Sequence, residues 1–181
     1  TSRELYLGKY EVREITAPHG MVLNPEPHSV ELVYAGQSVA VTETATSFEN
    51  ERQTAEISLV KSLEANELFG IGTNGELKNI SFGLYAAEEI VSTSGTSIPA
   101  DGLIEIITLN EDGTAMAKTD LPLGSYYVKE RTTNSAYILS DTEYPVVFEY
   151  AGQDAALVQI LVNEGEPISN DLLRGRVDGV K

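Results

Sequence analysis

A twelve-residue stretch of this chain recurs with seven of its positions identical. Residues 5–16 read LYLGKYEVREIT and residues 121–132 read LPLGSYYVKERT. In that register Leu5, Leu7, Gly8, Tyr10, Val12, Glu14 and Thr16 meet the same residue types at Leu121, Leu123, Gly124, Tyr126, Val128, Glu130 and Thr132. The peptide YAGQ at 34–37 meets YAGQ at 150–153 at the same offset of 116 residues. Two matches in one register mark a tandem array, and an array limits the fold more tightly than composition can.

The repeated unit also has an internal logic. Gly124 supplies a tight turn, and a strand follows. Strand side chains alternate, so Tyr126, Val128 and Glu130 share one face and Tyr127, Lys129 and Arg131 share the other. The second face is the wet one. The core face therefore carries a carboxylate inward, and the other copy does the same with Tyr10, Val12 and Glu14. A buried carboxylate is costly unless it is paired or protonated, so both copies predict a partner for it.

The remainder of the chain fits a series of short strands. Residues 1–53 hold the repeated unit, a turn at 17–20, a Pro-punctuated loop at 24–28, a strand near 30–34 and a last strand near 39–50. Three strands with two bare edges are too few to fold alone, so this piece reads as the rear half of a domain. Residues 54–166 read as a complete copy. Ile57, Leu59, Lys61 and Leu63 lie on one face of its first strand. Strands follow near 80–85, 103–109, 114–119, 124–132, 144–150 and 156–163, with a helical turn over 86–90 and loops at 64–79, 91–102 and 133–143. Short strands with regular turn signals predict an all-β sandwich of immunoglobulin-like or transthyretin-like shape. Residues 167–181 read as a polar connection and the opening strand of a further copy. Val177 and Lys181 there repeat the spacing of Ile57 and Lys61.

Composition narrows the function classes. The net charge is −16, which repels nucleic-acid phosphates and anionic membrane surfaces. There is no Cys, so disulfides, thiolate metal sites and Cys nucleophiles are excluded. No apolar run is long enough to span a bilayer. His19 and His28 are lone loop histidines, and the Asn-Glu-Asp-Gly turn at 110–113 lacks the remaining ligand spacing of a calcium loop. No metal or cofactor is expected.

Four segments now stand in order: a first strand ending in an inward Lys, then FGLYAAEE, then NEDGTAMAKTDLPLGSYYVKE, then a final strand with an apolar-x-Asn ending. This arrangement resembles the collagen-adhesin B-type domain, also called the SpaA-like pilin domain, of Gram-positive surface proteins. The resemblance covers residues 54–166 fully and 1–53 as a rear half. It implies a prealbumin-like β-sandwich and an intramolecular isopeptide bond between a Lys of the first strand and an Asn of the last, promoted by an inward acid. On this chain the Lys falls on Lys61, the acid on Glu130 and the Asn on Asn163. In the front piece the acid falls on Glu14 and the Asn on Asn50, with Phe48-x-Asn50 matching Leu161-x-Asn163. Lys181 is the Lys of the next copy.

Elementary chemistry supports such a trio. A Lys amine is nucleophilic only when neutral, and burial favours the neutral form. A nearby carboxyl can move the protons while the amine attacks an amide carbon and ammonia leaves. No cofactor is required, and the reaction runs once per chain, so this is not an enzyme in the usual sense. Plainer roles exist for each residue: a gatekeeping edge Lys, a half-exposed Glu paired with a surface cation, and an Asn at a strand end. Asn163 sits on the less apolar face of its strand, opposite Val158, Ile160 and Val162, so a bulge would be needed to turn it inward.

Two functional expectations result. One is a structural stalk repeat of an extracellular, cell-wall-associated adhesin or pilus-like protein, stiffened by its own cross-link and packed against neighbouring copies. The other is a module whose long loops bind a host protein or glycan without a cross-link. Phe69 is the only ring in the loops 64–79 and 91–102, which weakens the case for sugar. Strand donation between chains would bring Lys181 to Glu14 and Asn50 of a neighbour.

Overall fold

The structure is a computed structural model that describes residues 2–91, 95 and 97–180. Lys181 and part of the 91–102 loop lie outside the described residues. The chain divides into a front unit, Thr1–Gln53 with Tyr150–Ala156, and a second unit, Thr54–Glu149 with Leu157–Lys181.

In the front unit β1 (Gly8–Val12) pairs antiparallel with β2 (His28–Leu32), placing Tyr10 opposite Val30. Residues 39–50, expected as a strand, form no ladder. A strand is completed by a paired neighbour, and pairing in this sheet stops at β1 and β2. Side-chain bonds hold the end of that segment instead: His28 bonds Thr46 Oγ1 at 2.6 Å and stacks on Phe48.

The second unit is all-β apart from short 3₁₀ turns. Its strands are β3 (Thr54–Leu63), β4 (Ser81–Ala86), β5 (Ile90–Val91), β6 (Ser97–Ile98), β7 (Leu103–Thr108), β8 (Thr114–Met116), β9 (Gly124–Thr132), β10 (Glu143–Phe148), β11 (Leu157–Leu161) and β12 (Ile168–Asn170). One sheet runs β10-β9-β4-β7 and is antiparallel throughout. The other centres on β3, which β8 joins antiparallel and β11 and β12 join parallel. The helical turn expected over 86–90 is absent; those residues bend from β4 into β5.

The core lies between the two sheets, as alternation requires. Ile57 and Leu59 of β3 pack in one cluster with Phe82 and Leu84 of β4, Ile107 of β7, Tyr126 and Val128 of β9, and Val146 and Phe148 of β10. The repeated unit folds alike in both units: the Tyr126 hydroxyl donates to Pro122 O at 2.7 Å, and the Tyr10 hydroxyl to Tyr6 O at 2.6 Å.

The closing strand departs from the expected pattern. Instead of ending at residue 163 it breaks and resumes. β11 pairs with the first half of β3, setting Leu157 against Thr54 and Leu161 against Ser58. A 3₁₀ turn, Val162–Gly165, follows, with Asn163 and Glu164 at φ 55° and 56°. β12 then rejoins β3 further along, with Ile168 opposite Lys61 and Asn170 opposite Leu63. Residues 167–172, expected as a connection, are therefore part of the second unit, and Leu172 bridges to Tyr137. The strand expected over 177–181 does not form across the described residues 177–180, where Val177 and Val180 are exposed.

Candidate functional site

Four polar or charged side chains are buried among the described residues: Gln53, Lys61, Glu130 and Asn170. Three of them meet. Lys61 is 3% exposed because it continues the inward parity of Ile57 and Leu59 on β3. Glu130, 4% exposed, continues that of Tyr126 and Val128 on β9. Asn170, 2% exposed, ends β12, and Ile168 shares its inward parity.

The amide of Asn170 joins the other two. Lys61 Nζ donates to Asn170 Oδ1 and, at 2.9 Å each, to Ser62 O and Ile168 O. Asn170 Nδ2 faces both carboxylate oxygens of Glu130, at 3.0 and 2.8 Å, and also Ile138 O at 2.8 Å and Thr133 Oγ1 at 3.2 Å. Glu130 Oε2 accepts a further bond from Ser140 N at 2.9 Å. Every polar atom of the cluster is thereby satisfied, as burial demands.

Electrostatics favour a reactive amine. Burial pushes the Lys61 amine down to about 8, and the Glu130 charge opposes part of that fall. Close to neutral pH a useful fraction is then the nucleophilic free base, where an exposed Lys is almost wholly ammonium. Glu130 lies within hydrogen-bond reach of the Asn170 amide nitrogen, a position from which a carboxyl group can exchange protons with it.

Asn163 is not part of this cluster. It is exposed, and its Nδ2 donates to Glu166 O at 3.0 Å. Val158 and Ile160 of β11, and Val162 just after it, take the inward positions, so Asn163 turns outward, and its left-handed backbone stands where the strand breaks. Asn170 falls in residues 167–181, which the residue pattern reads as a connection beyond the complete copy, and its 120-residue spacing from Asn50 lies four beyond the repeat register. The available signal was Ile168-x-Asn170, which repeats Phe48-x-Asn50.

The front unit holds the same arrangement without the amine. Asn50 Nδ2 donates to Glu14 Oε2 at 2.6 Å and to Val22 O at 2.9 Å. Asn24 N donates to Glu14 Oε2 at 2.9 Å, as Ser140 N does to Glu130. The one Lys of residues 1–53 is Lys9, exposed on β1 opposite Glu31.

Comparison with known proteins agrees with this architecture. Solved structures of similar fold include the Bacillus anthracis TIE protein, 20% identical, with a TM-score of 0.53 over 93% of this chain and 26% of that one. GBS52, the minor pilin of Streptococcus agalactiae, is 20% identical over 71% of this chain and 49% of its own, with a TM-score of 0.42. The major pilin SpaA of Corynebacterium diphtheriae is 19% identical over 65% and 30%, with a TM-score of 0.38. This chain thus spans about a quarter of the TIE protein structure. No curated protein sequence matches it. Residues 69–160 match the SpaA family, a prealbumin-like fold domain. Glu130 lies inside the matched residues, and Lys61 and Asn170 flank them. By that match, and by the two-sheet fold that carries it, the chain belongs to the SpaA family of prealbumin-like fold domains.

Proposed function

We propose that this chain is a stalk segment of an extracellular adhesin or pilus-like protein of a Gram-positive cell surface, and that its second unit closes itself with an amide bond between Lys61 and Asn170. The observation that carries the reading is the buried Lys61–Asn170–Glu130 cluster. An amine, an amide and an acid in hydrogen-bonded sequence are a costly choice for a core that apolar residues would fill.

The step balances within the chain. Neutral Lys61 Nζ attacks Asn170 Cγ, the Nζ–Cγ bond forms and the Cγ–Nδ2 bond breaks. Glu130 accepts a proton from the attacking nitrogen and returns one to Nδ2, which leaves as ammonia. Holding the groups in place supplies up to roughly 7–11 kcal/mol of the barrier. The acid ends as it began, and no second substrate enters, so the chain reacts once and does not turn over.

The mechanical benefit lies in the topology. β3 opens the second unit and β12 closes it, side by side. A covalent link between them carries tension past the strands in between. In the front unit, Glu14 and Asn50 are read as the same site awaiting a Lys from another strand. Lys181 is the candidate carrier of that amine for a neighbouring copy.

Intact mass of the purified chain tests the reading. The expected mass is short by one ammonia, and Lys61→Ala, Glu130→Ala or Asn170→Ala each restores the full mass of its variant. Asn163→Ala is expected to keep the deficit. A wild-type chain at full mass removes the cross-link from this account. A second reading, a module that grips a host protein or glycan, draws on Leu68 and Phe69, which stand exposed side by side on the 64–79 loop. Binding that survives replacement of both by Ser would count against it.

A further inference from the structure

The fourth buried polar side chain, Gln53, has no part in the cluster of Lys61, Glu130 and Asn170. It lies in the front unit, where it grips the turn formed by Tyr150–Ala156. Gln53 Nε2 donates to Gly152 O at 3.1 Å and Ala155 O at 2.5 Å, and its Oε1 accepts from Ala151 N at 2.8 Å. Gln153 makes the reciprocal bonds: its carbonyl accepts from Leu23 N at 2.9 Å, its Oε1 from Ala17 N at 3.0 Å, and its Nε2 donates to Ile15 O at 3.2 Å. The Tyr150 hydroxyl reaches Met21 O at 3.3 Å. The gripped peptide is YAGQ, the second sequence repeat.

The other YAGQ, residues 34–37, has the same shape and no grip. Gly36 and Gly152 are both at positive φ, 110° and 96°. Val39 N bonds Gly36 O at 3.1 Å, as Ala155 N bonds Gly152 O at 3.4 Å. The turn is thus formed in both places, yet Tyr34 is 66% exposed and Gln37 is exposed too.

The gripping surface also occurs twice. Val22 N bonds Glu51 O and Gln53 N bonds Gly20 O in the front unit; Ile138 N bonds Asp171 O and Leu173 N bonds Ala136 O in the second. Met21 bridges Arg52 as Tyr137 bridges Leu172. Leu173 therefore occupies the place of Gln53, and Ile138 and Leu139 those of Val22 and Leu23. In the front unit Gln53 is buried and Val22 and Leu23 are half-buried. In the second, Ile138, Leu139 and Leu173 are half-exposed or more.

We infer that the 34–37 turn docks onto another copy of this repeat, and that the Ile138, Leu139 and Leu173 face receives such a turn. The occupant in each case is a second copy, because the gripped turn at 150–153 carries the same four residues on an equivalently built surface. A preformed turn loses little conformational freedom on docking, and a tether between copies raises the local concentration well above that of free chains.

The absence of native Cys makes trapping direct. One preparation carries Ala35→Cys, the counterpart of Ala151, and another carries Leu173→Cys, the counterpart of Gln53. Each is first shown to melt with the wild type. Mixed in equal amounts under mild oxidation, they are expected to give the mixed disulfide dimer several-fold above the two like dimers, and Tyr34→Ala with Gln37→Ala in the first chain is expected to remove that excess. Dimers in statistical proportion, or an excess that survives those two substitutions, would overturn the inference. The outcome does not depend on whether Lys61 and Asn170 are bonded, so the two ideas stand or fall separately.

Discussion

Lys61 and Asn170 are 109 residues apart in the chain, yet the amine of one donates to the amide oxygen of the other inside the second unit. Two adjacent parallel strands make the meeting possible. β12 runs beside the end of β3, and Ile168 pairs with Lys61, so Asn170 falls one further inward position along.

A bond across that gap closes a loop of 109 residues, for which chain entropy alone predicts about 4–5 kcal/mol by analogy with a disulfide. Asn170→Ala is expected to lose that stabilisation and to leave Lys61 and Glu130 without their shared partner. Asn163→Ala, at an exposed turn, is expected to change stability by under about 0.5 kcal/mol. Denaturant unfolding of both variants beside the wild type is the measurement.

Lys61 should also leave a trace in the pH dependence of stability. Its folded pKa of about 8 lies below its ordinary 10.5. Between those values the unfolded chain holds a proton that the folded chain does not, so stability rises with pH across that window and the gain is lost as pH falls through 8. A cross-linked Lys61 carries no such proton. The difference in melting temperature between wild type and Asn170→Ala is therefore expected to narrow from pH 8 to pH 9.5. A constant difference would place the Lys61 amine outside a desolvated site.

Gly113 supports Lys61 from below. It sits at φ 84°, its carbonyl accepts from Lys61 N at 2.8 Å, and an added Cβ would stand 2.4 Å from Lys61 O. Gly113→Ala combines backbone strain with a clash against main chain, and a cost of at least about 2 kcal/mol is expected. Intact mass taken during refolding should show slower loss of ammonia in this variant than in the wild type.

Gln53→Ala removes three hydrogen bonds within the front unit, taking the side-chain donor from Ala155 O and Gly152 O and the acceptor from Ala151 N. A loss of about 1–3 kcal/mol is expected there. Amide hydrogen exchange should report it locally, with faster exchange at Ala151 and Leu23 and unchanged rates in β4 and β9. Uniformly faster exchange would mean that Gln53 is a general core residue and not the grip on the turn.

Much of this protein could be read from residue order alone. The repeat at 116 residues identified equivalent strands, and period-two alternation pointed Lys61 and Glu130 inward, because the pleat leaves a strand residue only two directions. The β class followed from the same alternation and from turn residues. The amide partner could not be read that way. Alternation holds only while a strand continues, and the closing strand breaks where Asn163 and Glu164 adopt left-handed backbone, then resumes beside β3 four residues out of register with the front copy. Which Asn reaches the amine was decided by that break and by parallel pairing with β3, both of which arise from contacts between residues about a hundred positions apart.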